Sequence, residues 1–165
     1  MKTFPIALLA LLALALQGCA PPSAAQGSAP AGPEPMHTAT ALPPVVVHKN
    51  ASCGCCNDWV EHMRAAGFRV DVRNTDNLGP IKERAGVPVG KGSCHTAEVG
   101  GYFVEGHVPA ADIKRLLAER PAARGLVLPG MPMGSPGMET PDGRSEPYTV
   151  ELVGLDGSTT AYSSH

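Results

Sequence analysis

From Pro44 onward the chain alternates short apolar runs with segments whose apolar residues recur at helical spacing. Val45, Val46 and Val47 form a β-branched run, closed by His48, that suits a buried strand. After the turn Ser52-Cys53-Gly54-Cys55-Cys56-Asn57, the residues Trp59, Val60, Met63 and Ala66 share one helical face, with Gly67 as a stop. Asn57 or Asp58 can cap this helix, Glu61 being reciprocal to Asp58, and His62 falls on another face, expected in solvent. Phe68, Val70 and Val72 alternate with charged residues as a half-buried strand does, and a short helix is expected over 81–85, ended by Gly86. Ser93-Cys94-His95-Thr96 leads through a strand and the Gly100-Gly101 turn into a strand over 102–105, an antiparallel hairpin. Gly106-His107-Val108-Pro109 opens a helix with Ile113, Leu116 and Leu117 on one side, and 148–153 with 159–162 flank Asp156-Gly157 as a second hairpin.

Strand, thiol turn, helix, strand, helix, hairpin, helix is the element order of the thioredoxin-like fold. The expected class is therefore α/β, with a thioredoxin-like βαβα-ββα core, an additional C-terminal β-hairpin and a Met/Gly/Pro-rich loop. In that fold the loop before the hairpin faces the dithiol turn, so Cys94 and His95 are expected opposite the Cys53–Cys56 stretch. Topology of this kind does not by itself assign a function.

The N-terminal pattern changes the picture of where the domain begins. Lys2 precedes an apolar run from Ile6 to Leu16, which reads as a secretory signal and is short of the ~20 apolar residues of a membrane span. Its end, Leu16-Gln17-Gly18-Cys19, resembles a bacterial lipoprotein processing site, in which Cys19 becomes the lipid-modified N-terminus. The chain thus divides into a lipoprotein-type signal peptide over 1–18, an Ala/Pro/Ser-rich tether over 19–43 and one domain over 44–165. The tether has almost no large apolar side chain to offset the entropy of folding, and its Met36 and His37 are expected as solvated linker residues. The expected location is the periplasm, an oxidising compartment, with membrane contact only through the lipid anchor.

Composition then removes partner classes. The formal charge is −2 and no basic stripe is present, so nothing recommends nucleic acid. No Ser–His–Asp pattern, phosphate loop or pair of catalytic carboxylates stands out.

The candidate chemistry lies in four cysteines: Cys53, Cys55, Cys56 and Cys94. As structural staples, pairs within the first three close almost no loop. A redox dithiol fits the C-x-x-C spacing of Cys53 and Cys56 at a helix start, where the helix dipole favours thiolates. A thiolate metal site fits the same turn and gives Cys55 a purpose. Adjacent Cys55 and Cys56 side chains diverge, which points to several metal ions bridged by thiolates. Met131, Met133 and Met138 lie among glycines and prolines in 129–139, with no periodic face to pack; thioethers suit Cu(I) and suit Zn(II) poorly.

The CGCC turn, SCHTA over 93–97, GGY and EGHVPA over 100–110, and PGMPMGSPGME over 129–139 resemble the CopG-like family of small periplasmic proteins linked to copper resistance, also catalogued as a metal-binding domain of unknown function. The resemblance runs from about Val45 to the C-terminus. It implies a thioredoxin-like copper-binding domain holding one or several Cu(I) ions, with a role in Cu(I)/Cu(II) interconversion. It carries Cys53, Cys55, Cys56, Cys94, His95, His107, Met131 and Met138 over as metal ligands. Copper ions and other periplasmic copper-handling or redox proteins are the expected partners. The alternative is a thiol-disulfide oxidoreductase using Cys53 and Cys56.

Overall fold

The computed structural model describes residues 41–165; the expected signal peptide, most of the expected tether and Cys19, Met36 and His37 lie outside the described residues. Among the described residues one mixed sheet of seven strands, in the order β2-β1-β3-β4-β5-β6-β7, carries three helices. β1 (Val45–Lys49) leads through the thiol turn into α1 (Gly54–Ala65), and β2 (Val70–Asn74) returns parallel to β1. After α2 (Gly79–Ala85), the hairpin of β3 (His95–Val99) and β4 (Tyr102–Glu105) adds to the other side of β1, with β3 antiparallel to it. α3 (Ala110–Glu119) crosses back to β5 (Ala123–Val127), parallel to β4, and the hairpin of β6 (Thr149–Gly154) and β7 (Thr159–Ser164) completes the sheet.

The element order expected up to α3, with its β3–β4 hairpin, is present, as is the C-terminal hairpin. β5 was not expected. Its sequence Ala-Arg-Gly-Leu-Val shows no alternation, because Gly125 lies against the Phe103 backbone and Leu126 and Val127 are buried on opposite faces. β2 starts at Val70, leaving Phe68 buried in the preceding connection.

The main core lies on the face covered by α1 and α3. Trp59, Val60 and Met63 of α1 and Ile113 and Leu116 of α3 meet Val45, Val47, Ala97 and Val104 of the sheet. Across the sheet, Phe103, Val127 and Val153 form a smaller cluster with Ala85 and Val87. The alternation of strand side chains between faces produces this split: Val104 joins one cluster and its neighbour Phe103 the other. The register that pairs Val45 with Val99 and Lys49 with His95 brings the end of β1, the start of β3 and the start of α1 to one end of the sheet.

Candidate metal centre

The helix that follows Cys53 and carries Cys55 and Cys56 begins earlier than its capping residues suggested. Cys53 occupies the N-cap with extended backbone, so Asn57 and Asp58 are exposed residues inside the helix rather than caps, and Glu61 pairs with Arg64. No side chain caps this end and no acidic residue stands in its first turn. Its unpaired N–H groups therefore present their positive end to the thiols alone. The turn is tied to β1 by Asn50, whose carbonyl accepts from the Cys53 N–H at 3.1 Å and whose side chain accepts from the Ser52 N–H at 2.9 Å.

Cys53 and Cys56 are joined in a disulfide, leaving Cys55 and Cys94 as free thiols among the described residues. Short loop closure made this pairing a poor staple on entropic grounds; the helical turn nevertheless brings the two sulfurs together, as C-x-x-C spacing allows. Cys55 Sγ stands 3.7 Å from Cys53 Sγ. The sulfurs of all four cysteines lie within 4.8 Å of one another.

Cys94 also belongs to a second group. Its Sγ is 3.0 Å from His107 Nε2 and 3.3 Å from His95 Nδ1, and the donor atoms of these three residues again lie within 4.8 Å. Burial, reinforced by the nearby Cys55, pushes the Cys94 thiol up to about 11, so without metal it is a neutral S–H. His107 Nδ1 lies 2.7 Å from the Pro136 carbonyl. A carbonyl only accepts, so Nδ1 carries the hydrogen and Nε2 offers its lone pair toward Cys94. That is the arrangement by which a carbonyl orients a metal-binding imidazole. His95 is fully buried, packed against Trp59 with ring centroids 4.4 Å apart, and its Nε2 has no hydrogen-bond partner. Burial, then the neighbouring His107, hold its pKa down to about 3, so the ring is neutral and available as a donor.

The Cys94–His95 arm is held from beneath by Glu105 at the end of β4, itself fully buried. Glu105 accepts from the Ser93 N–H, from Thr96 Oγ1 at 2.7 Å and from Lys82 Nζ. Ser93 and Thr96 flank Cys94 and His95 in sequence, while Glu105 stands two residues before His107. One buried carboxylate thus fixes three candidate ligands relative to one another.

The methionine segment is a structured loop. Gly134 N–H donates to the Met138 carbonyl, Met138 N–H to Ser135, and Glu146 N–H to the Met133 carbonyl. It closes over the start of α1: a Cβ on Gly137, whose φ is +83°, would meet the Cys55 carbonyl at 2.6 Å and the Trp59 nitrogen at 2.8 Å. Met138 follows Gly137 in sequence and is partly buried, whereas Met131 is 49 % exposed. The loop's established contact with the site is the Pro136 carbonyl on His107, which sequence reasoning missed because a backbone acceptor has no residue signature. His62 also departs from expectation: it is half-buried, and its Nε2 accepts from the Ala110 N–H at 3.0 Å, capping α3.

Fold and site together define a small α/β domain with a cysteine and histidine cluster able to hold metal. The family described as "Protein of unknown function, DUF411" matches residues 91–138, which span Cys94, His95, His107 and the methionine loop. Two solved structures, named "Copper resistance protein copG" in forms 1 and 2, are each 44 % identical to this chain, cover 75 % of it over 98 % of their own length, and superpose with a TM-score of 0.71. No curated protein matches. The chain belongs to the CopG-like copper-resistance family.

Proposed function

We propose that this protein is an exported copper-binding protein of copper resistance, whose cargo is Cu(I) held by Cys53, Cys55, Cys56, Cys94, His95 and His107, with Met138 and Met131 as thioether donors. The observation that carries this reading is the position of Cys94, shared between the four-cysteine group and the Cys94–His95–His107 group. A thiolate common to two donor groups is suited to bridge two ions, which favours a multinuclear site. Thiolate, thioether and neutral imidazole together favour Cu(I), and zinc gives no use for the methionines. The core from β1 to α3 is read as thioredoxin-like, and the N-terminus as a lipoprotein signal and tether that place the domain at a membrane of the periplasm.

A second reading is supported by the Cys53–Cys56 disulfide at the start of α1. Two Cu(II) ions can each take one electron from the Cys53 and Cys56 thiolates, giving two Cu(I) ions and this disulfide. The same bond would serve a thiol-disulfide oxidoreductase acting without copper.

The test is titration of fully reduced protein with Cu(I) against a competing chelator, in parallel with Zn(II), repeated after Met131→Leu with Met138→Leu. Preferential Cu(I) uptake, weakened severalfold in the leucine variant with the fold retained, is the expected outcome; leucine is close enough to methionine in volume to cost less than about 1.5 kcal/mol. Absence of copper uptake by the reduced protein, together with efficient disulfide reduction, would establish the oxidoreductase instead.

A further inference from the structure

The end of the sheet opposite the thiols collects arginines. Arg69 precedes β2 and its carbonyl accepts from the Val45 N–H, Arg84 lies in the last turn of α2, and Arg120 and Arg124 stand either side of the start of β5. β1, β2 and β5 all begin at this end, where β3 turns into β4. With strands about 4.8 Å apart, the row from β2 to β5 is about 20 Å wide. All four arginines are exposed, and among the described residues none pairs with a carboxylate, whereas Arg64, Arg73 and Arg115 each pair with a neighbouring acid. Lys114 adds an ammonium over the ring of Phe68, and the carboxylates left among these cations are Glu83, Glu98 and Asp156. The thiol end is the reverse, with Asp58, Asp76 and Glu139 exposed and no cation paired to them. The described chain enters among the arginines. Pro44 lines an open groove with Arg84, Arg124 and Glu98, and a Cβ on Gly100 would meet Arg120 Nη1 and Pro43 Cγ each at 3.4 Å.

A guanidinium offers a fork of N–H donors that matches phosphate oxygens and is weakly hydrated. A row of them about 20 Å wide is too broad for one small anion and suits a plane of headgroups. We propose that this end docks on the anionic headgroups of a phospholipid bilayer, which leaves the thiol cluster at the other end of the sheet facing away from the membrane. The proposal goes beyond copper binding. It rests on the lipoprotein reading of the N-terminus only for what brings the domain to a bilayer. A domain linked to the bilayer through Cys19 meets it at high effective concentration, so a weak net attraction is enough to choose the face. Each net positive charge at an anionic surface is worth about fivefold in partitioning, so an excess of two favours this end by about thirtyfold.

The experiment uses the full chain with Cys19→Ser, which removes the lipid site, and vesicles of phosphatidylcholine alone or with one third phosphatidylglycerol. The apolar run over 6–16 is common to every variant and meets both kinds of vesicle, so the preference between them reports the charges. This chain should bind the anionic vesicles about thirtyfold more tightly, and the difference should vanish near 1 M salt, where the Debye length is about 3 Å. Arg84→Gln with Arg124→Gln should abolish the preference, Arg84→Lys with Arg124→Lys should keep it, and Glu98→Gln should raise it about fivefold. Should the first pair destabilise the fold, Arg69→Gln with Arg84→Gln replaces two side chains that make no hydrogen bond among the described residues, and should lose as much. Equal binding to both kinds of vesicle, a preference that survives both glutamine pairs, or a loss that the lysines do not restore would each overturn the proposal. Release by inorganic phosphate where chloride of equal ionic strength has no effect would overturn it too, by marking a pocket for one small anion. Protein purified from membranes without lipid on Cys19 would refute the anchor, while the vesicle arm still decides the role of the arginine end.

Discussion

The two ends of the sheet offer opposite kinds of surface. At the β3–β4 turn, a groove of about 480 Å³ is lined by Arg84, Glu98, Gly100, Gly101, Tyr102 and Arg124. Its charged side chains are exposed and solvated. At the other end two imidazoles are fully buried, one with an unpartnered nitrogen, beside four sulfurs within 4.8 Å of one another. Buried imidazoles beside clustered sulfurs locate the chemistry better than cavity volume does, because burial keeps both rings neutral and able to offer a lone pair to an ion.

The sharpest way to break this contrast is to disable each end in turn. Cys94→Ser removes the one donor common to both ligand groups and should weaken Cu(I) binding by at least about 100-fold, the upper end of what losing even a supporting partner of a ligand costs. The double variant Arg84→Ala with Arg124→Ala should leave copper binding unchanged. Chelator competition on both proteins measures the difference, and an equal loss in the two would abolish the distinction.

A smaller effect tests whether the loop over 129–139 belongs to the metal end. In Gly137→Ala the new methyl meets the backbone of Cys55 and Trp59 at a left-handed φ. The variant should lose about 1–3 kcal/mol by denaturant unfolding, and Cu(I) should bind about tenfold more weakly as the Pro136 carbonyl leaves His107.

The histidines repeat the contrast on a finer scale, since His62 is used by the fold whereas His95 and His107 face Cys94. Burial lowers the pKa of His62 in the folded state, outweighing the opposing charge of Glu139. The neutral form that caps α3 is therefore fully favoured above the unfolded value near 6.5, and its contribution disappears as pH falls through the lowered folded value. His62→Gln should flatten the loss of stability between pH 6.5 and the lowered folded value, by about 1 kcal/mol or less, the worth of one helix cap. Unfolding curves at pH values above and below 6.5 check this, and parallel pH profiles for the two proteins would remove His62 from the account.

Periodicity made much of the fold legible, because Val45 and Val47, Trp59 and Met63, and Ile113 and Leu116 are placed by burial on one face of their own element. The cysteines were legible as a site because three in four positions serve no packing purpose. What stayed hidden depends on contacts between distant segments. β5 pairs on both sides and shows no alternation, His62 finds Ala110 only after α1 and α3 pack, and the hydrogen of His107 is set by a carbonyl of Pro136.

The most direct measurement is X-ray absorption at the copper edge on reduced protein loaded with Cu(I). A shell dominated by sulfur, with a nitrogen contribution lost in a His95→Ala and His107→Ala double variant and with copper–copper scattering at higher loading, is the result expected of a bridged Cys94 site. A shell of nitrogen and oxygen alone, unchanged by Cys94→Ser, would contradict it.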